Sequence, residues 1–182
     1  MKQYLKTINS KKLYEIYSNF DDIDKFLVGY VVAKDNQFIL IDEIDTYGNQ
    51  DGWCCLRLDE IIQYKTNTKY LKTIELLNVY NGNNRRSFAL ENPQEVLFSF
   101  LSFIKANHKV CSFELCNSKT QDIIGYIENI DKKTNTAIVK NIDNYGQKDG
   151  ESIVDLSMVS SVEFDNLDTK KIDILYSLNN KK

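Results

Sequence analysis

The 182-residue chain has one proline, Pro93, and one histidine, His108. A single histidine excludes chemistry that needs several, such as a histidine-rich zinc site or a paired-histidine acid/base mechanism. Long hydrophobic runs are also missing. The densest, 96–104, is broken by Ser99 and Ser102 and stops at Lys105, far short of the roughly 20 apolar residues of a membrane span. Residues 1–12 lack the apolar stretch of a secretory leader, so a cytoplasmic location is expected. There is no positive surplus either: 23 basic residues face 26 acidic ones, a formal net charge of −3, which disfavours binding driven by phosphate neutralisation and makes DNA an unexpected partner. Four cysteines form no Cys-x-x-Cys pair; Cys54 and Cys55 are adjacent and Cys111 and Cys116 five apart, so in extended strands each pair divides between opposite faces. They read as reduced, partly buried thiols. His108 reads as an exposed residue past a helix end, near its last carbonyls, and not as the partner of a catalytic cysteine. Without a nucleophile and base, a phosphate loop or a metal cluster, the sequence predicts no enzyme, no cofactor and no metal.

What is present is an internal repeat. Residues 44–52, Ile-Asp-Thr-Tyr-Gly-Asn-Gln-Asp-Gly, recur at 142–150 as Ile-Asp-Asn-Tyr-Gly-Gln-Lys-Asp-Gly, six identities in nine positions at an offset of 98. The register continues through Leu58 and Leu156, Ile74 and Ile172, and Glu75 and Asp173; upstream, Gly29-Tyr30 matches Gly125-Tyr126 at an offset of 96, placing two extra residues in the turn near 131–136. Further upstream, 14–16 are matched to 113–115. Each copy reads as short strands: 13–18, then 25–33 and 38–45 as a hairpin around Asp35 and Asn36, then 54–58 and 61–64. The repeated element joins the third strand to the fourth. Its Asp45, Gly48, Asp51 and Gly52, with Asp143, Gly146, Asp149 and Gly150 in the second copy, read as structural turn residues and not as metal ligands. Residues 78–92 are polar and turn-rich, a linker between copy one (1–77) and copy two (93–182). Asn92, Pro93 and Glu95 predict a helix over 93–107 with Val96, Leu97, Phe100, Leu101 and Ile104 on one face. A shorter helix is expected within 2–9.

A helix followed by five short strands, a glycine in the second strand (Gly29, Gly125), the Asp35-Asn36 turn, and Arg57 in the fourth strand before a short fifth resemble the Sm and Sm-like barrel family, including uncharacterised bacterial members that carry this Asp-Gly turn. The resemblance implies a mainly β protein of two tandem, Sm-like (SH3-type), five-stranded barrels, each introduced by an N-terminal helix. It also implies edge strands able to pair with another chain. In that family the turn before the third strand and an Arg-Gly pair hold a base of single-stranded RNA. Here Asp35 and Asn36 are adjacent, Arg57 precedes Leu58, and copy two has Asp155 at the Arg57 position.

The expected function is therefore a non-catalytic binding or assembly module that meets a protein partner or self-associates through edge strands. Single-stranded RNA binding through Asp35, Asn36 and Arg57 is the alternative. Tyr47, Trp53 and Tyr145 are candidate aromatic contacts; whether Trp53 faces solvent or the core is left open by the strand alternation.

Overall fold

The structure, a computed structural model, describes Ile8 and residues 12–18, 25–116 and 122–181. Apart from Ile8, the helix expected within 2–9 lies outside the described residues. The chain divides into two units, residues 1–96 and 97–182. Unit 1 contains β1 (Leu13–Tyr17), β2 (Leu27–Lys34), β3 (Phe38–Ile44), β4 (Gln50–Arg57), β5 (Gln63–Lys65) and α1 (Lys69–Tyr80). Next come α2 (Val96–Ala106), β6 (Val110–Leu115), β7 (Ile123–Asp131), β8 (Thr136–Ile142), β9 (Lys148–Asp155), β10 (Val159–Phe164) and α3 (Leu167–Asn179). No helix among the described residues is long and apolar enough to cross a membrane.

The strands pair in the order β5-β1-β2-β3-β4 in unit 1 and β10-β6-β7-β8-β9 in unit 2. Both ladders are antiparallel. Both are also open, since within neither unit does the fourth strand pair with the fifth among the described residues. This corrects the expectation of two closed five-stranded barrels: the ten strands make open antiparallel sheet. The physical reason lies in what covers the sheet faces. Closure is the expected way to hide a sheet's edges, but here the helix after the fifth strand instead covers one of the sheet's two faces. In unit 1 one face carries Tyr14, Ile16, Ile39, Ile41, Cys54 and Leu56. The other carries Leu13, Val28, Tyr30 and Ile44 against Leu71 and Ile74 of α1. With buried side chains on both faces, every residue of β1 and β3 is buried, Glu15, Asp42 and Glu43 included, so neither strand shows the apolar-polar alternation of a half-exposed sheet. Burying Leu71 and Ile74 ties α1 to the sheet by about 3 to 6 kcal/mol. In unit 2 Ile172 of α3 packs on Val110, Tyr126 and Ile142 in the same way.

The repeat holds in three dimensions. Bulges fall between Val31 and Ala33 and between Ile127 and Asn129, and again between Asp42 and Ile44 and between Lys140 and Ile142. Thr68 caps α1 by accepting from the Leu71 N–H (3.1 Å), and Asn166 caps α3 by accepting from the Thr169 N–H (2.9 Å). Only the first strand departs from the sequence match. Tyr14 pairs with Gly29 and Cys111 with Gly125, so Tyr14 corresponds to Cys111, not to Phe113. A slip of two residues keeps every side chain on its own face and is invisible to a match on hydrophobicity.

Helix α2 begins later than the sequence predicts. The Asn92 side chain accepts the Gln94 N–H (3.0 Å) and donates to Glu95 (3.1 Å), but this closes a turn ahead of the helix. The first helical residue, Val96, donates its N–H to Asp35 (2.7 Å). Val96, Leu97, Phe100, Leu101 and Ile104 form a buried stripe, and Phe100 packs on Phe164 with ring centres 5.3 Å apart.

Candidate interaction surface

The repeated Asp-x-Tyr-Gly loops are built alike. In unit 1 one carboxylate oxygen of Asp45 accepts the N–H of Tyr47 (2.8 Å) and of Asn49 (2.7 Å), while its other oxygen accepts the Asn49 side chain (3.1 Å). In unit 2 Asp143 accepts the N–H of Tyr145 (2.9 Å) and of Gln147 (2.8 Å). The third loop residue after each aspartate is a glycine with φ +80° at Gly48 and +75° at Gly146. A side chain is excluded there twice over, by the left-handed backbone and by the following helix. A β-carbon on Gly48 would lie 2.5 Å from the Asn78 nitrogen, and one on Gly146 would lie 2.5 Å from the Leu175 β-carbon. Asparagines on the helix complete the seam. Asn81 donates to the Tyr47 carbonyl (3.0 Å), and its counterpart Asn179 donates to the carbonyls of Tyr145 (3.0 Å) and Gly146 (3.1 Å).

The loop is therefore a socket for the helix, and its tyrosine is turned outward. Tyr47 and Tyr145 are both exposed, and so are Leu76, Val79 and Tyr80 on α1 and Leu167, Ile174 and Leu178 on α3. At an offset of 98, Tyr47 matches Tyr145, Leu76 matches Ile174 and Tyr80 matches Leu178; these six are 58% to 86% exposed. Residues four apart on a helix share a face, so each unit presents a loop tyrosine and an outward apolar stripe. A second tyrosine anchors the inner face of each helix. Tyr126 donates its hydroxyl to Asp173 (2.6 Å), and Tyr30 hydrogen-bonds the matching Glu75. Burial first, then the adjoining carboxylate, pushes both phenols above their ordinary value.

The other sequence candidates are dispersed. Asp35 spends one carboxylate oxygen on the N–H groups of Gln37 (2.7 Å) and Phe38 (2.8 Å) and the other on Val96. Asn36 is exposed beside it. The Arg57 guanidinium lies 4.8 Å over the Phe38 ring. Trp53 faces inward at 7% exposure, edge-on to Phe88 with centres 4.9 Å apart and with the Arg86 guanidinium 4.4 Å over its ring. Gly52 and Gly150 both have positive φ, and Asp149 is exposed. Beside each loop is a cavity at matching positions, about 500 Å³ lined by Ile44, Asp45 and Asp51 in unit 1 and about 530 Å³ lined by Ile142, Asp143 and Asp149 in unit 2. The Asp45 and Asp143 oxygens there hold backbone N–H groups, which is the geometry of a turn. Cys54, Cys55 and Cys111 are fully buried and none of the four cysteines is in a disulfide. Burial pushes the Cys55 and Cys111 thiols well up, so at neutral pH neither is the thiolate that nucleophilic or metal chemistry requires.

The helix faces were not anticipated from the sequence. Their signal was present at the repeat offset, where apolar residues that spoil the amphipathic pattern of 69–80 recur in 167–179. Comparison with protein-family models, curated proteins and solved structures finds no match for the chain in any of the three.

Proposed function

We propose that the chain is a non-catalytic binding module that holds a protein partner on the outward faces of α1 and α3 together with Tyr47 and Tyr145. The observation that carries this reading is the recurrence of the same three exposed apolar positions in both units. An exposed apolar side chain stabilises nothing in the folded monomer, whereas burying it in an interface contributes about 1.5 to 3 kcal/mol. Aromatic and aliphatic side chains on a rigid helix lose little freedom on contact. A cytoplasmic setting is supported by four cysteines that form no disulfide, because thiols persist in a reducing compartment.

The test is site-specific photo-crosslinking in cells that express the chain, with benzoylphenylalanine replacing Tyr80, Leu178 or, as a contrast, Asn36. One protein species captured from both Tyr80 and Leu178, and not from Asn36, is the expected result. Adducts to RNA at Asn36, or none from either helix, would overturn the proposal in favour of the RNA reading or of neither.

A further inference from the structure

In unit 1 the chain leaving α1 turns back and lies as a strap on β3 and β4. Asn83 donates to the Gly48 carbonyl (3.0 Å), and Gln50 donates to the Asn84 carbonyl (2.7 Å). The Arg85 guanidinium covers the Tyr30 ring at 4.7 Å. Arg86 is gripped by Asp42, which takes its backbone N–H (3.1 Å) and its side chain (2.6 Å from Nε), while the guanidinium also donates to the Gly52 carbonyl (2.6 Å). Phe88 then closes against Trp53.

At the matching positions unit 2 has a cavity of about 340 Å³, lined among others by His108, Tyr126, Lys140, Lys148, Gly150 and Tyr176. Tyr126 stands where Tyr30 does and Gly150 where Gly52 does, but the charges have changed. Lys140 replaces Asp42, and Lys148 replaces Gln50. One of the strap's contacts is supplied from within unit 2, because His108 stacks on Tyr126 at 4.4 Å with the rings 5° from parallel, as Arg85 covers Tyr30. Lys140 is ion-paired to Glu128 (3.0 Å) and Glu151 (2.5 Å), all three about half exposed. Such pairs contribute little and exchange readily for a better-placed carboxylate.

We propose that this cavity of unit 2 binds an extended acidic peptide segment of a partner protein, laid over β8 and β9 as residues 83–88 are laid over β3 and β4, with a carboxylate on Lys140 and Lys148. The backbone of the segment takes the place of residues 83 and 84, offering a carbonyl to Lys148 as Asn84 does to Gln50. Its carboxylate takes the place of the Arg86 guanidinium. Basic segments are rejected by the same two lysines, so the units differ in what they accept. The inference concerns a different surface from the helix faces and stands or falls independently of them.

The experiment uses the full chain and nuclear magnetic resonance titration with two peptides copying residues 82–90, one unchanged and one carrying Arg86→Glu. The Arg86→Glu peptide is expected to shift the resonances of Lys140, Lys148, Gly150 and Tyr176 saturably, and to bind roughly tenfold more tightly than the unchanged peptide. Lys140→Asp in the chain should reverse that preference; Lys140 is a surface residue, and an otherwise unaltered spectrum verifies that the variant is folded. Equal binding of the two peptides, no saturable shift up to about 1 mM, or an unreversed preference in the variant would overturn the proposal. Inorganic phosphate moving the same resonances as strongly would overturn it too, in favour of a small-anion site.

Discussion

Replacing Gly48 by alanine tests the claim that the repeated loop is a helix socket. The φ of +80° at this position costs any residue with a β-carbon about 1 to 2 kcal/mol. The β-carbon would also sit 2.5 Å from the Asn78 nitrogen and 2.6 Å from Leu77, so α1 must draw back. Doing so stretches the Asn78 to Gly48 (2.9 Å) and Asn81 to Tyr47 (3.0 Å) hydrogen bonds, each worth about 1 kcal/mol. The total is about 3 to 4 kcal/mol. Gly82 supplies the control: it has φ +71°, lies in the same unit, and has nothing within 4 Å of an added β-carbon. Gly82→Ala should cost only the backbone share, about 1 to 2 kcal/mol. Trp53, the single tryptophan and buried in unit 1, reports on that unit in urea by fluorescence. With a slope of about 1.5 kcal/mol/M, the Gly48→Ala midpoint should fall more than about 1 M below that of Gly82→Ala. Coincident midpoints would show that the loop does not bear on the helix, and the socket reading would be wrong.

Two further outcomes follow from buried polar pairs. Arg86→Ala removes the guanidinium from Asp42, which is 1% exposed, and should destabilise unit 1 by about 3 to 5 kcal/mol; adding Asp42→Asn should recover part of the loss, both read by thermal unfolding followed with circular dichroism. Tyr126 ionises in the unfolded chain near 10.0 but at a higher pH when folded, so its contribution is complete below about pH 10 and is lost as the pH rises beyond it. Tyr126→Phe should therefore be less stable at neutral pH, through the lost bond to Asp173, and should show a shallower decline in urea titrations from about pH 9 to about pH 11; an unchanged slope would refute the assignment.

The repeat was legible because its strongest signal, six identities from Ile44 to Gly52, is imposed by local chemistry: an aspartate that must accept N–H groups and a glycine that must lack a side chain. Strand positions were legible because their apolar runs are dense, as in 38–41, Phe-Ile-Leu-Ile, with Ile44 closing the strand. Closure was not legible. Whether a sheet curls shut or accepts a helix on its second face depends on residues far away in the chain, and the amphipathic stripe is blurred by exposed apolar residues, Leu76, Val79 and Tyr80 in α1 and Leu167, Ile174 and Leu178 in α3. The roles of Asp35 and Trp53 were hidden likewise. Asp35 acts on Val96 across 61 residues of sequence, and the orientation of Trp53 is set by Phe88 and Arg86, which belong to a stretch too polar to read as packed.

The strap also determines where the chain can be divided. A cut after residue 77 severs α1 before its Asn81 and discards Arg86, leaving Asp42 with a buried charge, so a fragment designed on polarity alone should be hard to keep folded. A fragment that preserves every strap contact described here must reach at least Phe88. The stretch that looks most like dispensable tether is, for unit 1, part of the fold's own minimum length.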